Sequence, residues 1–297
     1  VDLSIIIVNF NTRHLLADCL ESIFKQNLNF KFRVVVVDNG SSDGSAEMVE
    51  NKFPDVKVVK SDKNLGFSKG NNLGIKAGEA KYYLLLNSDT IVPDKALKAL
   101  VDFMEGSEFS VGSCKLLNKD GSFQPNAGDL PFGLPLFFWL SGWDDILPKV
   151  KETLPSFHRK FKSFYNGEKE VGWVSGSIMI IKDEVYKKIG GLDEKIFMYC
   201  EDTDYCIRAK KAGFKVGWTD KAEIVHLGGG SSKNPNLVQW IGEFKGLEYL
   251  YKKHLGLLPS LVLSFFIKLF IIVRAVAFIL TGKFSVSKTY AKLLFNI

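Results

Sequence analysis

The residues best suited to chemistry in this chain are Asp38, Asp89, the Glu201-Asp202 pair and His226. Asp38 ends an apolar run and is followed by Asn39-Gly40-Ser41-Ser42-Asp43-Gly44-Ser45. A carboxylate there could accept from a base or ribose donor, and the glycines and serines permit a tight turn with free amides. The alternative is a plain strand-to-helix turn in which Asp43 or Ser45 caps the next helix. Asp89 closes the run Leu84-Leu85-Leu86-Asn87-Ser88-Asp89. A carboxylate at a strand end suits Mg²⁺ or Mn²⁺ bridging a diphosphate, because both ions prefer oxygen ligands. One carboxylate cannot hold the ion alone, and His226, just before Gly228-Gly229-Gly230-Ser231-Ser232, is the candidate second ligand. A single histidine is otherwise a structural residue. Glu201, Asp202 and Asp204 crowd the start of a helical pattern, where the helix dipole favours acids. Asp204 and Arg208 are four apart and pair on one helix face. That leaves Glu201 and Asp202 as candidates for a general base, since proton abstraction from a hydroxyl needs an ionised carboxylate.

A further string, Asn64-Leu65-Gly66-Phe67-Ser68-Lys69-Gly70-Asn71-Asn72, combines glycines with a helix start near Ser68. Glycines allow close backbone approach, and a helix start offers amides to an anion. A simple capped helix is the alternative. The string is neither a Walker loop nor a dinucleotide fingerprint.

These residues need elements to position them, and the first 90 residues supply an alternation. Residues 3–8, 33–37, 56–59 and 82–86 are short apolar runs that predict strands. Residues 12–26, 45–51 and 68–77 have helical spacing. Such alternation implies parallel strands with right-handed crossovers, and ligands then sit beyond the carboxyl ends of the strands. Asn9, Asn11, Asp38, Asn39, Asn87, Ser88 and Asp89 all collect there. Residues 124–155 hold five of the nine prolines and the apolar stretch 134–140 with Trp139, then Trp143. This predicts an irregular insertion of loops and short helix, facing a membrane or lipidic acceptor or forming a satellite core. Strands are expected at 171–181 and 222–226 and a helix at 201–212.

The 297 residues are 46% hydrophobic and 24% charged, which excludes a disordered, collagen-like or polytopic membrane chain. The net charge of +6 is uneven. Residues 249–297 carry seven basic residues and no acid, whereas the rest of the chain holds 32 basic against 33 acidic. A basic, apolar tail points to an anionic membrane surface rather than to nucleic acid. The longest uncharged run of the tail, 255–267, has 13 residues and contains Pro259. A span needs about 20, and Lys268 and Arg274 would each cost roughly 2.5–3.5 kcal/mol deep in a bilayer. Interfacial helices are therefore expected, with dimerisation through the same apolar surface as a competing use. Cys19, Cys114, Cys200 and Cys206 show no zinc spacing and are expected to be buried thiols in a reducing compartment. The chain enters a strand pattern at once, so no signal peptide is expected.

Taken in order, the strings Ser4 to Asn11, Val36 to Ser45, Asn64 to Asn72, Asn87-Ser88-Asp89, Gly172-Trp173-Val174-Ser175-Gly176-Ser177, Glu201 to Asp204 and His226 closely resemble the family 2 glycosyltransferases. Within them the chain looks most like the bacterial rhamnosyltransferase branch. The resemblance implies an α/β GT-A fold: a Rossmann-like, mainly parallel sheet flanked by helices, here with a C-terminal amphipathic helical tail that associates with membrane. It implies a glycosyltransferase domain over 1–250, with a nucleotide-binding half at 1–100 and an acceptor-binding half at 101–250, and the tail at 251–297. Donor contacts would come from Val8, Asn9, Phe10, Asn11, Arg13, Asp38, Asn64, Gly66, Phe67, Asn71, Asn87 and Ser88, with Asp38 reading a pyrimidine. Asp89 and His226 would hold Mg²⁺ or Mn²⁺. The family's D-x-D pattern has Asn87 at its first position here, one carboxylate fewer. Asp202 would be the base of an inverting transfer, and Trp173, Gly176, Ser177 and Glu201 would orient sugar or acceptor. The loop 228–232 would close over the diphosphate. The implied donor is dTDP-L-rhamnose, with galactofuranosyl and other hexosyl donors open. The acceptor would be a polyprenyl-diphosphate-linked sugar at the cytoplasmic face of the cell membrane.

Other classes fit less well. A nucleotidyltransferase would place a Gly-rich, basic loop after the first strand, where this chain has Asn9-Phe10-Asn11-Thr12-Arg13. An idle nucleotide-sugar-binding protein should tolerate loss of Asp202, yet Glu201-Asp202 is intact.

Overall fold

The computed structural model describes residues 1–141, 154–228 and 235–297; Trp143, Pro148 and the loop residues 229–232 lie outside the described residues. In chain order the elements are β1 (Leu3–Asn9), α1 (Arg13–Phe24), β2 (Phe32–Asp38), α2 (Ser45–Lys52), β3 (Lys57–Lys60), α3 (Phe67–Lys76), β4 (Tyr82–Asn87), β5 (Thr90–Ile91), α4 (Ala96–Gly106), β6 (Phe109–Leu117), β7 (Phe123–Gln124), β8 (Ala127–Gly128) and α5 (Leu134–Ser141). There follow β9 (Lys169–Glu170), β10 (Trp173–Val174), β11 (Ile178–Lys182), α6 (Asp183–Ile189), α7 (Glu201–Lys211), β12 (Lys215–His226), α8 (Pro235–Leu255), α9 (Leu257–Leu280) and α10 (Phe284–Leu294).

Packing divides the chain into two compact units. The first comprises Val1–Leu130, Phe157–Phe197 and Glu201–Ser231. Its main sheet has the order β3-β2-β1-β4-β11-β6-β12-β5. β1 is parallel to β2 and β4, and β2 to β3, so Asn9, Asp38 and Asn87 end neighbouring strands on one edge. The chain runs outward from β1 to β2 and β3 on one side and returns to β4 on the other, which makes the β1/β4 boundary a switch point. Three of the four predicted strands are apolar and buried on both faces, with Ile5, Ile6, Ile7, Val34 to Val37 and Leu84 to Leu86 buried, whereas the edge strand β3 has Lys57 and Lys60 exposed.

Beyond β4 the sheet is mixed. β11 runs antiparallel to both β4 and β6, while β12 is parallel to β6. The single strand expected over 171–181 is two strands, β10 and β11, because the chain turns at Ser175 to Ser177. The last strand is longer than expected and passes through an irregularity between Thr219 and Glu223.

Helix α3 lies close to β1 because it carries glycine where the two meet. A Cβ at Gly74 would stand 2.3 Å from Ile6 Cγ2. Ile6 is buried and β-branched, so it has little freedom to yield. Gly74→Ala is therefore expected to lower stability by roughly 1–3 kcal/mol through overpacking, read as a fall in urea midpoint with an unchanged m-value.

The second unit comprises Pro131–Ser156, Met198–Cys200 and Ser232–Ile297. Its helices are joined by aromatic contacts: Trp139 on Phe244 at 5.9 Å between centroids, and Tyr290 stacked on both Trp240 and Phe278 at 5.1 and 5.5 Å. The insertion around 134–140 is the helix α5, with Leu136 and Leu140 buried and Leu134 and Phe137 exposed. α9 is one uninterrupted helix, long and apolar enough to cross a membrane by length and composition. Pro259 does not break it, because it falls in the first turn, where a missing N–H costs nothing.

Candidate active site

Every residue of the site described here belongs to the first unit. At the ends of β1 and β2, the buried Asn9 amide donates to Asp38 Oδ1 at 3.2 Å and to Ser41 Oγ at 3.1 Å. Asn9 Oδ1 accepts from Thr12 Oγ1 at 2.6 Å, and Thr12 reaches Ser88 Oγ at 2.8 Å. Asp38 Oδ2 accepts the Ser41 N–H at 3.1 Å. The carboxylate is thus fixed in direction and the turn after β2 is tied to β1. Asn11 adopts a left-handed backbone (φ 54°), and its side chain accepts the Ser42 N–H at 2.8 Å. The Arg13 N–H donates to Asp43 Oδ2 at 2.9 Å, and Asp43 Oδ1 accepts from Ser45 N–H and Oγ. Asp43, not Ser45, therefore serves the start of α2. Val8 packs beneath Gly70 of α3, while Phe10 is half-buried beside the turn.

The Asn64 to Asn72 string builds a loop more than it offers free groups. Asn64 Oδ1 accepts the Gly66 N–H at 2.9 Å and the Asn39 amide at 3.1 Å. Gly66 has φ +83°, and a Cβ there would stand 2.5 Å from the Phe197 carbonyl. The Phe67 N–H donates to that same carbonyl at 2.7 Å. Asn71 is 1% exposed and its amide donates to Phe67 O within the helix, so it shapes the loop from inside rather than contacting a ligand. Asn39 was not among the expected site residues. It is buried and ties the end of β2 to this loop, donating to Asn64 and Gly66 and accepting from Leu65 N–H. Its place next to Asp38 was the available signal.

β5 pairs with β12 so that His226 lies opposite Thr90, and this register brings the histidine to Asp89. His226 Nε2 is 3.3 Å from Asp89 Oδ1 and 3.1 Å from Asn87 Nδ2. Its other nitrogen, Nδ1, is 2.7 Å from Gln124 Oε1. With Nδ1–H donated to that oxygen, Nε2 accepts from the Asn87 amide beside Asp89, and its lone pair is the one a cation there would take. Gln124 carried no signal in the sequence. One carboxylate and one imidazole are donors that suit a divalent cation whose remaining ligands are phosphate oxygens and water, while the Asn87 amide lies against His226 Nε2. Among the described residues there is no cluster of three His, Cys, Asp or Glu.

Asp202 stands at the head of α7. Its Oδ2 accepts the Gly176 N–H at 2.9 Å and its Oδ1 the Thr203 N–H at 2.6 Å. Burial raises its pKa above the ordinary carboxylate value; the bonds from Gly176 and Thr203 and the charge of His158 oppose the rise without cancelling it. Gly176 also lies under Phe67, whose ring would meet a Cβ at 3.0 Å. Ser177 is buried with its hydroxyl on Ser175 Oγ at 2.9 Å, and Glu201 is 5% exposed. Trp173 does not fit the expected contact with sugar or acceptor. It is 5% exposed, its indole N–H donates to Phe157 O at 2.7 Å, and its ring meets the His158 ring edge-on at 5.1 Å. It supports the His158 segment. Asp204 is fully buried and pairs with Arg208 at 2.7 Å, as the spacing predicts. All four cysteines are free and buried.

The sheet thus has a switch point with a fixed acid at the β2 end, an acid and a histidine beyond β4, and a half-buried carboxylate at a helix head. Residues 4–190 match the profile of Glycosyl transferase family 2, and the chain belongs to that family. It is 28% identical over 229 residues to the low-salt glycan biosynthesis hexosyltransferase Agl10 of Haloferax volcanii, covering 76% of this chain and 67% of that one. It is 28% identical over 209 residues to an N-acetylglucosaminyl-diphospho-decaprenol L-rhamnosyltransferase of Mycobacterium tuberculosis, covering 65% and 66%. The chain thus spans about two thirds of the length of these curated relatives. Its fold is shared with the mannosyltransferase PcManGT of Pyrobaculum calidifontis, solved with GDP-Man and Mn²⁺, at TM-score 0.61 and 15% identity over 98% of this chain and 84% of that one.

Proposed function

We propose that the protein is an inverting hexosyltransferase that moves L-rhamnose from dTDP-L-rhamnose to a polyprenyl-diphosphate-linked N-acetylglucosamine. The observation that carries the mechanism is the fixed, half-buried carboxylate of Asp202. The acceptor hydroxyl gives its proton to Asp202 as its oxygen attacks the anomeric carbon. The new C–O bond forms as the bond to the diphosphate breaks, and the nucleoside diphosphate leaves with the electron pair. A single base and one in-line displacement invert the anomeric centre. Asp89 and His226 would hold Mg²⁺ or Mn²⁺, which supplies Lewis-acid stabilisation of the leaving diphosphate. Asp38 reads the pyrimidine, with Asn9 fixing its direction. The turn from Phe10 to Arg13 and the loop from Asn64 to Phe67 line the nucleotide, and Gly176, Ser177 and Glu201 bound the sugar side.

In this reading residues 1–100 form the donor half, 101–250 the acceptor half and 251–297 the membrane-associating tail. The rhamnose and lipid assignments take their support from the printed activity of the mycobacterial relative. The seven basic residues and no acid of the tail support work at the anionic cytoplasmic face of a membrane.

The test is a transfer assay read by mass spectrometry, offering dTDP-rhamnose and a panel of UDP- and GDP-sugars with Mg²⁺ or Mn²⁺ and a short-chain lipid-diphosphate N-acetylglucosamine. A rhamnosylated lipid is expected. Turnover of a different donor would replace the sugar and keep the mechanism; product that retains the donor's anomeric configuration would remove the single-displacement reading.

A further inference from the structure

The charge pattern of α9 changes once its partners are known. Ser260, Leu263, Ile267 and Ile271 form its packed face. Arg274 belongs to that face too: its guanidinium donates to Leu140 O at 3.1 Å and to Tyr290 Oη at 3.4 Å. It is therefore spent inside the protein and does not face lipid. Lys268 follows Ile267 and so lies about 100° round the helix from it, at the border of the packed face. It can snorkel away from lipid. The rest of the surface is an unbroken apolar arc over the whole helix. Leu258, Leu261, Phe265, Leu269, Ile272 and Val276 lie on it, with Phe265 63% and Leu258 72% exposed.

We propose that this arc of α9 inserts lengthwise into the acyl region of one leaflet of an anionic bilayer, with Lys268, Lys283, Lys288 and Lys292 at the phosphate level. The proposal rests on the membrane reading above and adds depth and orientation to it. Spanning is excluded by the neighbour on the packed side. α9 lies against α8, where Ser260 Oγ donates to Glu248 O, and α8 carries Glu243, Lys245, Glu248, Lys252 and Lys253. A perpendicular α9 would take those charges into hydrocarbon. A second copy is the poorer occupant, because two tails of like charge would be brought face to face, whereas anionic lipid complements them. A helix lying in the plane with one apolar face sinks by about 5–10 Å.

Insertion and electrostatic adsorption respond differently to salt, since screening weakens only the second. The full chain would be floated with phosphatidylcholine vesicles, with and without phosphatidylglycerol, at low salt and in about 1 M NaCl. Insertion predicts that high salt lowers binding to the anionic vesicles only to the level seen on phosphatidylcholine alone and does not abolish it. Phe265→Glu with Leu269→Glu should lower binding by at least about a hundred-fold. Lys288→Gln should lower it by only about five-fold, and on anionic vesicles alone. Turnover of a short-chain soluble acceptor by the double variant should match the parent and report intact folding. A Phe265→Trp reporter should be quenched by acyl-brominated lipid. Binding lost in high salt, or an unquenched reporter, overturns insertion and leaves membrane adsorption standing. Failure to float on any vesicle, with a dimer that the double variant dissolves, overturns the membrane reading as well.

Discussion

Asp202→Asn is expected to lower kcat for transfer by about 10²–10⁴-fold, the worth of a positioned general base, while leaving donor affinity unchanged. Asparagine keeps the size of the side chain and one accepting oxygen, while its NH2 faces the other of the Gly176 and Thr203 N–H donors. What it cannot do is take the acceptor proton. The pH behaviour follows from the direction of the Asp202 shift. Burial raises its pKa above the ordinary 3.8, so the acid limb of kcat/KM falls above the ordinary aspartate range. The charge of His158 favours the ionised carboxylate, so His158→Gln should move that limb to higher pH. The stability consequence has the opposite sense to that of a salt-bridged carboxylate. With its folded pKa raised, Asp202 holds its proton more tightly in the folded state. Its contribution is fully present below the unfolded pKa and is lost as pH rises through the folded one. Near neutral pH the ionised group is therefore a cost that Asp202→Asn removes. The variant's Tm relative to the parent's should therefore fall as pH is lowered. An active Asp202→Asn enzyme would remove Asp202 from the mechanism.

How much of this was legible in the sequence depends on how local each feature is. The runs at 3–8 and 82–86 declare buried strands because nearly every residue is apolar, Ser4 excepted, and the polar residue ending each run is where a parallel sheet presents its ligand edge. Asp38, Asp89, Asp202 and His226 could be named for the same reason: each is an uncommon group at an element end. The insertion of β11 between β4 and β6 was not legible, because strand partners distant in sequence leave no periodic trace. Neither was the split of 171–181, where Ser175 to Ser177 turn so that the Gly176 amide meets Asp202. Asn39 and Gln124 matter through what they touch across the fold, and Trp173 looked like a sugar platform until its neighbours covered it. The tail shows the same limit from the other side. Arg274 counts against a lipid-facing helix in any sum over residue types, and only the carbonyl of Leu140 and the hydroxyl of Tyr290 show that its guanidinium turns to acceptors within the protein.

The proposed cation position gives the second large effect, and it can be read without turnover. Asp89→Asn should weaken Mn²⁺ binding by at least about a hundred-fold, because the only carboxylate of the pair is lost and the imidazole of His226 remains. Gln124→Leu removes the acceptor for His226 Nδ1 and should cost about 10–100-fold, the usual effect of losing an outer partner. Asn87→Asp runs the other way. It puts a second carboxylate 3.1 Å from His226 Nε2, beside Asp89. Without a cation those like charges repel, so the variant should melt lower than the parent in chelator. With Mn²⁺ the repulsion becomes coordination, so its gain in Tm should exceed the parent's at every Mn²⁺ concentration, as linkage requires of tighter binding. Asp89→Asn and Asn87→Asp thus bracket the site from opposite sides, one lowering and one raising the Mn²⁺-dependent shift. A shift that neither substitution changes would mean that the ion binds elsewhere. The asparagine at position 87 would then serve His226 purely as a hydrogen-bond partner, fixing the ring as Gln124 does from the other side.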